Sequence, residues 1–137
     1  MVDTLVDTGP LFAMLCRSDD RHAPCAELFR HLDAPPCTTL PVVTEAMYLL
    51  GRWTDVGQGG LWRIILRGDL VIEGLSAADL RRMAVLMEGY SDLPMDFADA
   101  SLVAVAERLG LRRIITLDRH FSVYRLKGRE SFVIVGG

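Results

Sequence analysis

Five acids carry the residue types and spacings in this sequence that could do chemistry. Asp7 directly follows the short apolar run Thr4-Leu5-Val6, and Asp118 directly follows Ile114-Ile115-Thr116-Leu117. Asp96 and Asp99 are three apart, so on a helix they share one face. Glu45 is the lone acid of the apolar stretch Val42–Leu50, with Val42 and Leu49 as its helical neighbours. A carboxylate beside an apolar stripe is costly unless something pairs with it. Each acid also has an ordinary reading alone: a turn residue or cap for Asp7, a helix-dipole partner for Asp96 or Asp99, a turn aspartate for Asp118. Read jointly, acids brought to one place would repel and raise one another's pKa unless a cation were present. An all-oxygen cluster suits Mg2+ or Mn2+ better than zinc. Such an ion is commonly completed by substrate phosphate oxygens, which points to phosphodiester hydrolysis without a covalent nucleophile.

Other polar residues fall beside these acids. Thr8, Ser101 and Thr116 are auxiliary candidates, hydroxyls able to bond a carboxylate or a water at the ion; for Thr8 and Ser101, helix capping is an equal reading. His120, two residues past Asp118, reads as a surface turn histidine or as a substrate contact. Seven basic residues and one acid lie between Arg108 and Arg129. That run is either a solvated face or a phosphate-tracking strip, with Arg112, Arg113, Arg119 and His120 as RNA-binding candidates.

The acids meet only if the chain folds them together. Thr4–Val6 reads as a strand, followed by a helix with Pro10 at its first position, running to about Cys16. Asp20 is a candidate cap for a second helix to about Leu32. Cys37–Thr39 is a short strand, and Pro41 opens an apolar helix through Leu50. Gly51–Gly60 is ambiguous; Leu61–Leu66 is helical and stops near Gly68. Leu70–Glu73 is a strand, and Ser76-x-x-Asp79 resembles a capping box for a helix to about Tyr90. Pro94 opens another helix to Leu109, closed by Gly110. Ile114–Leu117 and Phe132–Val135 are the last strands. Strands alternating with pairs of helices predict a three-layer αβα fold with a mostly parallel sheet of four to five strands. Such sheets bind ligands outside the carboxyl ends of their strands, the rim to which all five acids map.

Bulk properties set the class. A chain of 137 residues is expected to be one domain, residues 1–137, and half its residues are hydrophobic, enough for a sizeable core. No apolar run is long enough for a bilayer, and the N-terminus lacks the pattern of a signal peptide. Three widely spaced cysteines, Cys16, Cys25 and Cys37, read as reduced, half-buried small hydrophobes, so a cytoplasmic location without structural zinc is expected. A net charge of −3 argues against coating nucleic acid by bulk electrostatics.

Four stretches together resemble the PIN domain, and specifically the VapC-type toxins of bacterial and archaeal toxin–antitoxin pairs: Leu5-Val6-Asp7-Thr8-Gly9-Pro10-Leu11, Thr44-Glu45, the run from Asp96-Phe97-Ala98-Asp99 to Glu107, and Ile115-Thr116-Leu117-Asp118-Arg119-His120-Phe121. The resemblance covers nearly the whole chain. It implies a metal-dependent endoribonuclease with Asp7, Glu45, Asp99 and Asp118 at the metal site and Asp96 as a fifth acid. It also implies a homodimer and a small antitoxin partner, for which Leu11–Leu15, Leu28–Phe29, Trp53 and Trp62 could supply a groove; core packing is the competing reading of those residues. The alternatives are a PIN-like RNA- or protein-binding module without turnover, or an RNA-processing nuclease that is not a toxin. A haloacid-dehalogenase-like phosphatase would want Asp-x-Asp where Asp7 is followed by Thr8-Gly9, and a response-regulator receiver would want a late lysine that Lys127 does not match.

Overall fold

The computed structural model describes residues 2–136. In chain order it contains β1 (Thr4–Val6), α1 (Thr8–Leu15), α2 (His22–Arg30), β2 (Cys37–Thr39), α3 (Leu40–Trp53) and α4 (Gly57–Arg67). There follow β3 (Val71–Glu73), α5 (Ala77–Gly89), α6 (Phe97–Leu109) and β4 (Arg113–Ile115). A 3-10 turn at Arg119–Ser122, a hairpin of β5 (Arg125–Leu126) and β6 (Glu130–Ser131), and β7 (Val133–Ile134) complete the fold.

Five strands form one parallel sheet in the order β3-β2-β1-β4-β7, flanked by the six helices. Every residue of β1 and β2 is buried, which is why these strands read as continuous apolar or threonine runs rather than alternating ones. The buried threonines are satisfied: the Thr38 hydroxyl donates to the Val6 carbonyl at 2.8 Å, and Thr39 lies 2.6 Å from the Ser101 hydroxyl. From β1 the chain steps outward through β2 to β3, then returns across the sheet to lay β4 on the other side of β1. The direction of winding therefore reverses between β1 and β4, the place where a parallel sheet opens a crevice at its carboxyl ends.

The helix boundaries differ from the sequence expectation where a side-chain cap outranks proline. α1 begins at Thr8, because Asp7 caps it, and Pro10 sits inside the first turn rather than opening the helix. α2 begins at His22, with Asp19 rather than Asp20 accepting the Arg21 N–H at 2.9 Å. α6 begins at Phe97 with Asp96 as its cap, so Pro94 lies in the preceding turn. The ambiguous Gly51–Gly60 stretch is the α3–α4 junction. A Cβ on Gly57 would sit 2.6 Å from both Leu50 Cδ2 and Thr54 Oγ1, and one on Gly51 would strike the Gln58 amide, so the glycines permit this close crossing. The capping box at Ser76 and Asp79 forms as expected, and Gly110 closes α6 with φ +69°.

All three cysteines are free and fully buried rather than half-buried, and burial, with Glu73 adding, pushes the Cys37 thiol up to about 12. Among the described residues no helix is long and apolar enough to cross a membrane.

Candidate functional site

The crevice is assembled from the sheet outward. Val6 and Ile115 are in register, and the Asp7 N–H donates to the Ile115 carbonyl at 3.0 Å, so Asp7 leaves the sheet beside Thr116. Asp7 Oδ1 accepts the Thr8 N–H and Oδ2 accepts the Thr116 hydroxyl, both at 2.8 Å. The same Thr116 oxygen accepts the Asp118 N–H at 2.9 Å, so one threonine ties Asp7 to the turn that presents Asp118. Asp118 caps the 3-10 turn through the His120 N–H, and His120 Nδ1 lies 2.9 Å from the same carboxylate oxygen. Asp99 arrives from α6, where it and Asp96 form a reciprocal capping box: the Asp99 N–H donates to Asp96 Oδ1 at 2.8 Å and the Asp96 N–H to Asp99 Oδ2 at 3.3 Å.

Asp7, Asp99 and Asp118 thereby each offer an oxygen within 4.8 Å of the others. Burial raises Asp7 to about 6; hydrogen bonds from Thr8 and Thr116 oppose the rise, and the charges of Asp118 and Asp96 add to it. Asp99 rises to about 7, from burial first and then from the charges of Asp96, Asp7 and Asp118. Carboxyls held near neutrality by burial and mutual repulsion are a mark of functional sites. Their oxygen-only donor set fits a hard divalent cation, which would relieve that repulsion.

The remaining candidates divide. Asp96 is exposed at the helix cap, close enough for its charge to bear on both Asp7 and Asp99. Glu45 is exposed rather than held against the apolar stripe, because Ala46, Val42 and Val43 take the inward face of α3; it joins the site through Thr8, whose hydroxyl donates to Glu45 Oε1 at 2.8 Å. Ser101 is fully buried, its hydroxyl donating to the Ala98 carbonyl and lying 2.6 Å from the Thr39 hydroxyl. The expected basic strip is split by the direction of β4. Arg112 and Arg113 stand at the amino end of that strand, about 20 and about 16 Å of extended chain from Asp118. There they bond the Ser131 carbonyl and the Thr4 hydroxyl. Arg119 and His120 stay beside Asp118. Sequence reasoning missed Tyr124, fully buried, whose hydroxyl donates to Asp99 Oδ2 at 3.3 Å; six residues past Asp118, it offers no spacing or motif that would have marked it.

A model of the PIN domain matches residues 4–126. The chain belongs to the PIN-domain family. This PIN-domain chain is 29% identical over 133 residues to Ribonuclease VapC26 of Mycobacterium tuberculosis, covering 96% of this chain and 98% of that protein. Among solved structures it is similar to Mycobacterium tuberculosis VapC20, a sarcin-ricin loop cleaving toxin, with a TM-score of 0.81 and 22% identity over 88% of this chain and 94% of that one. A toxin–antitoxin complex from Klebsiella pneumoniae is similar at a TM-score of 0.63 and 20% identity, covering 85% of this chain and 87% of that one.

Proposed function

We propose that this PIN-domain chain is a metal-dependent endoribonuclease that hydrolyses RNA phosphodiester bonds, the cytoplasmic toxin of a toxin–antitoxin pair. The observation that carries the reading is the convergence of Asp7, Asp99 and Asp118 at the switch point of the sheet. The likeness to Ribonuclease VapC26 along 96% of the chain supports the substrate class.

In this reading Asp7, Asp99 and Asp118 hold Mg2+ or Mn2+, and Asp96 adds negative charge at the rim. When bound, the ion polarises a phosphate oxygen, offsets charge building at phosphorus and lowers the pKa of a water. Thr116 fixes Asp7 and Asp118 relative to one another, so the carboxylates need little rearrangement on binding. Thr8 orients Glu45, whose Oε2 makes no hydrogen bond among the described residues and is free to accept a proton. Arg119 and His120, flanking Asp118, are placed to meet phosphate oxygens of the substrate.

The partner in this reading is a small antitoxin, with a homodimer of the chain as the toxin form. An apolar groove of about 490 Å³, lined by Met14, Phe29, Leu32, Ile64 and Leu70 with Asp33 and Asp69 at its edge, suits an amphipathic segment. Trp53 and Trp62 remain 63% and 55% exposed, whereas Leu11 is core and belongs to no groove.

The test is incubation of the chain, freed of bound partner, with a mixed RNA pool in Mg2+, Mn2+ or EDTA. Discrete fragments in either metal and intact RNA in EDTA are expected. Intact RNA throughout, from protein that binds no Mn2+, would leave a binding module in place of a nuclease.

A further inference from the structure

A fully buried tyrosine has to place its hydroxyl on a partner, because burying that group unbonded leaves its desolvation uncompensated. Among the described residues the hydrogen bond that the Tyr124 hydroxyl makes is to Asp99 Oδ2. The ring has little freedom to leave. Tyr90 and Phe121 contact it edge-on, with centroids 5.1 and 5.0 Å away. The Tyr124 N–H donates to the His120 carbonyl at 3.0 Å, and the next residue's N–H, Arg125, donates to the Tyr90 hydroxyl at 2.9 Å.

Asp99 Oδ2 thus receives two donors, the Asp96 N–H and the Tyr124 hydroxyl, while Oδ1 takes no protein hydrogen bond among the described residues. A carboxylate pinned through one oxygen presents the other in a fixed direction. The tyrosine lies two residues past the end of the 3-10 turn that Asp118 caps. One short segment therefore supplies a carboxylate and also the hydroxyl that orients a second carboxylate on a different element.

We propose that Tyr124 is a positioning residue for the acidic centre, holding Asp99 by its hydroxyl so that the oxygens of Asp99, Asp7 and Asp118 converge. The inference rests on the reading of that centre as a divalent-metal site. Outer partners that orient metal-binding carboxylates typically change metal affinity 10- to 100-fold when removed.

The experiment is Mn2+ titration followed by electron paramagnetic resonance on the wild-type chain, Tyr124→Phe, Tyr90→Phe and Asp99→Asn, with melting temperatures taken in EDTA. The expected result is Mn2+ binding by wild type, its loss in Asp99→Asn, about tenfold weaker binding with an altered spectrum in Tyr124→Phe, and unchanged affinity in Tyr90→Phe. Tyr90→Phe removes a hydroxyl from the same aromatic cluster without touching Asp99, so it reports a merely structural contribution. Wild-type affinity in Tyr124→Phe, or an equal loss in both tyrosine variants, overturns the proposal. Absence of Mn2+ binding in the wild type overturns the metal reading itself and this inference with it.

Discussion

Before any ion arrives, Asp7 and Asp99 are already committed to protein partners, yet both are disfavoured as anions. Asp99 has a pKa of about 7 in the fold against 3.8 for the free group, so the folded state binds the extra proton between those values. The contribution of Asp99 to the stability of the metal-free chain therefore falls as pH rises from about 4 through 7, and its full cost is present above 7. Asp99→Asn should relieve it, raising the unfolding free energy at pH 8 in EDTA by about 2–4 kcal/mol and leaving stability at pH 4 nearly unchanged. Urea unfolding at the two pH values measures both, and a variant no more stable than wild type at pH 8 would refute the electrostatic account. Much of this centre was legible in the residues: Asp7, Asp99 and Asp118 sit where strand ends and a helix start had to meet. Tyr124 was not, because a buried tyrosine six residues from an aspartate looks like any core aromatic until the fold closes.

At the scale of elements, α6 must hold its first turn in place for Asp99 to reach the crevice. Two ion pairs clamp α6 to α5: Arg82 meets Glu107 through two bonds of 2.8 and 3.0 Å, and Arg108 meets the buried Asp79 at 3.0 Å. Burial alone would raise the Asp79 pKa, but the Ser76 N–H and the Arg108 guanidinium outweigh it and hold the carboxyl below its usual range. Arg108→Ala should cost about 2 kcal/mol at neutral pH, with a deficit that shrinks as pH falls below 3.8, where Asp79 protonates in the unfolded chain. Denaturant titration across that range reads it, and a deficit independent of pH would place the cost in packing. The capping box of α5 was readable in advance because it is local. The starts of α1 and α6 were misplaced by two to three residues because proline was given weight over an aspartate cap. The β5–β6 hairpin was hidden inside what looked like a plain basic run, with Lys127 at φ 50° and Gly128 at φ 73° making its turn.

At the scale of the molecule, the winding reversal decides what charge surrounds the crevice. A run of arginines that looks continuous in sequence is divided by β4 between opposite edges of the sheet. Arg119→Gln should therefore flatten the salt dependence of RNA binding by about one counterion, while Arg112→Gln with Arg113→Gln leaves the slope unchanged. Binding of a single-stranded RNA by Asp99→Asn protein at several salt concentrations separates the two, and an equal effect from substitutions at either edge would contradict the placement. The parallel sheet and its carboxyl rim followed from the alternation of strands and helices; the split of the basic run required the strand direction at Arg112 and Arg113. Single-turnover cleavage of one defined RNA by wild type and Asp7→Asn, in Mn2+ and in EDTA, reads whether the three converging aspartates form a metal site that cuts RNA. Cleavage by wild type is expected in Mn2+ alone, with a loss of roughly a hundredfold or more in folded Asp7→Asn. Equal cleavage by the two proteins, or cleavage that persists in EDTA, would contradict it.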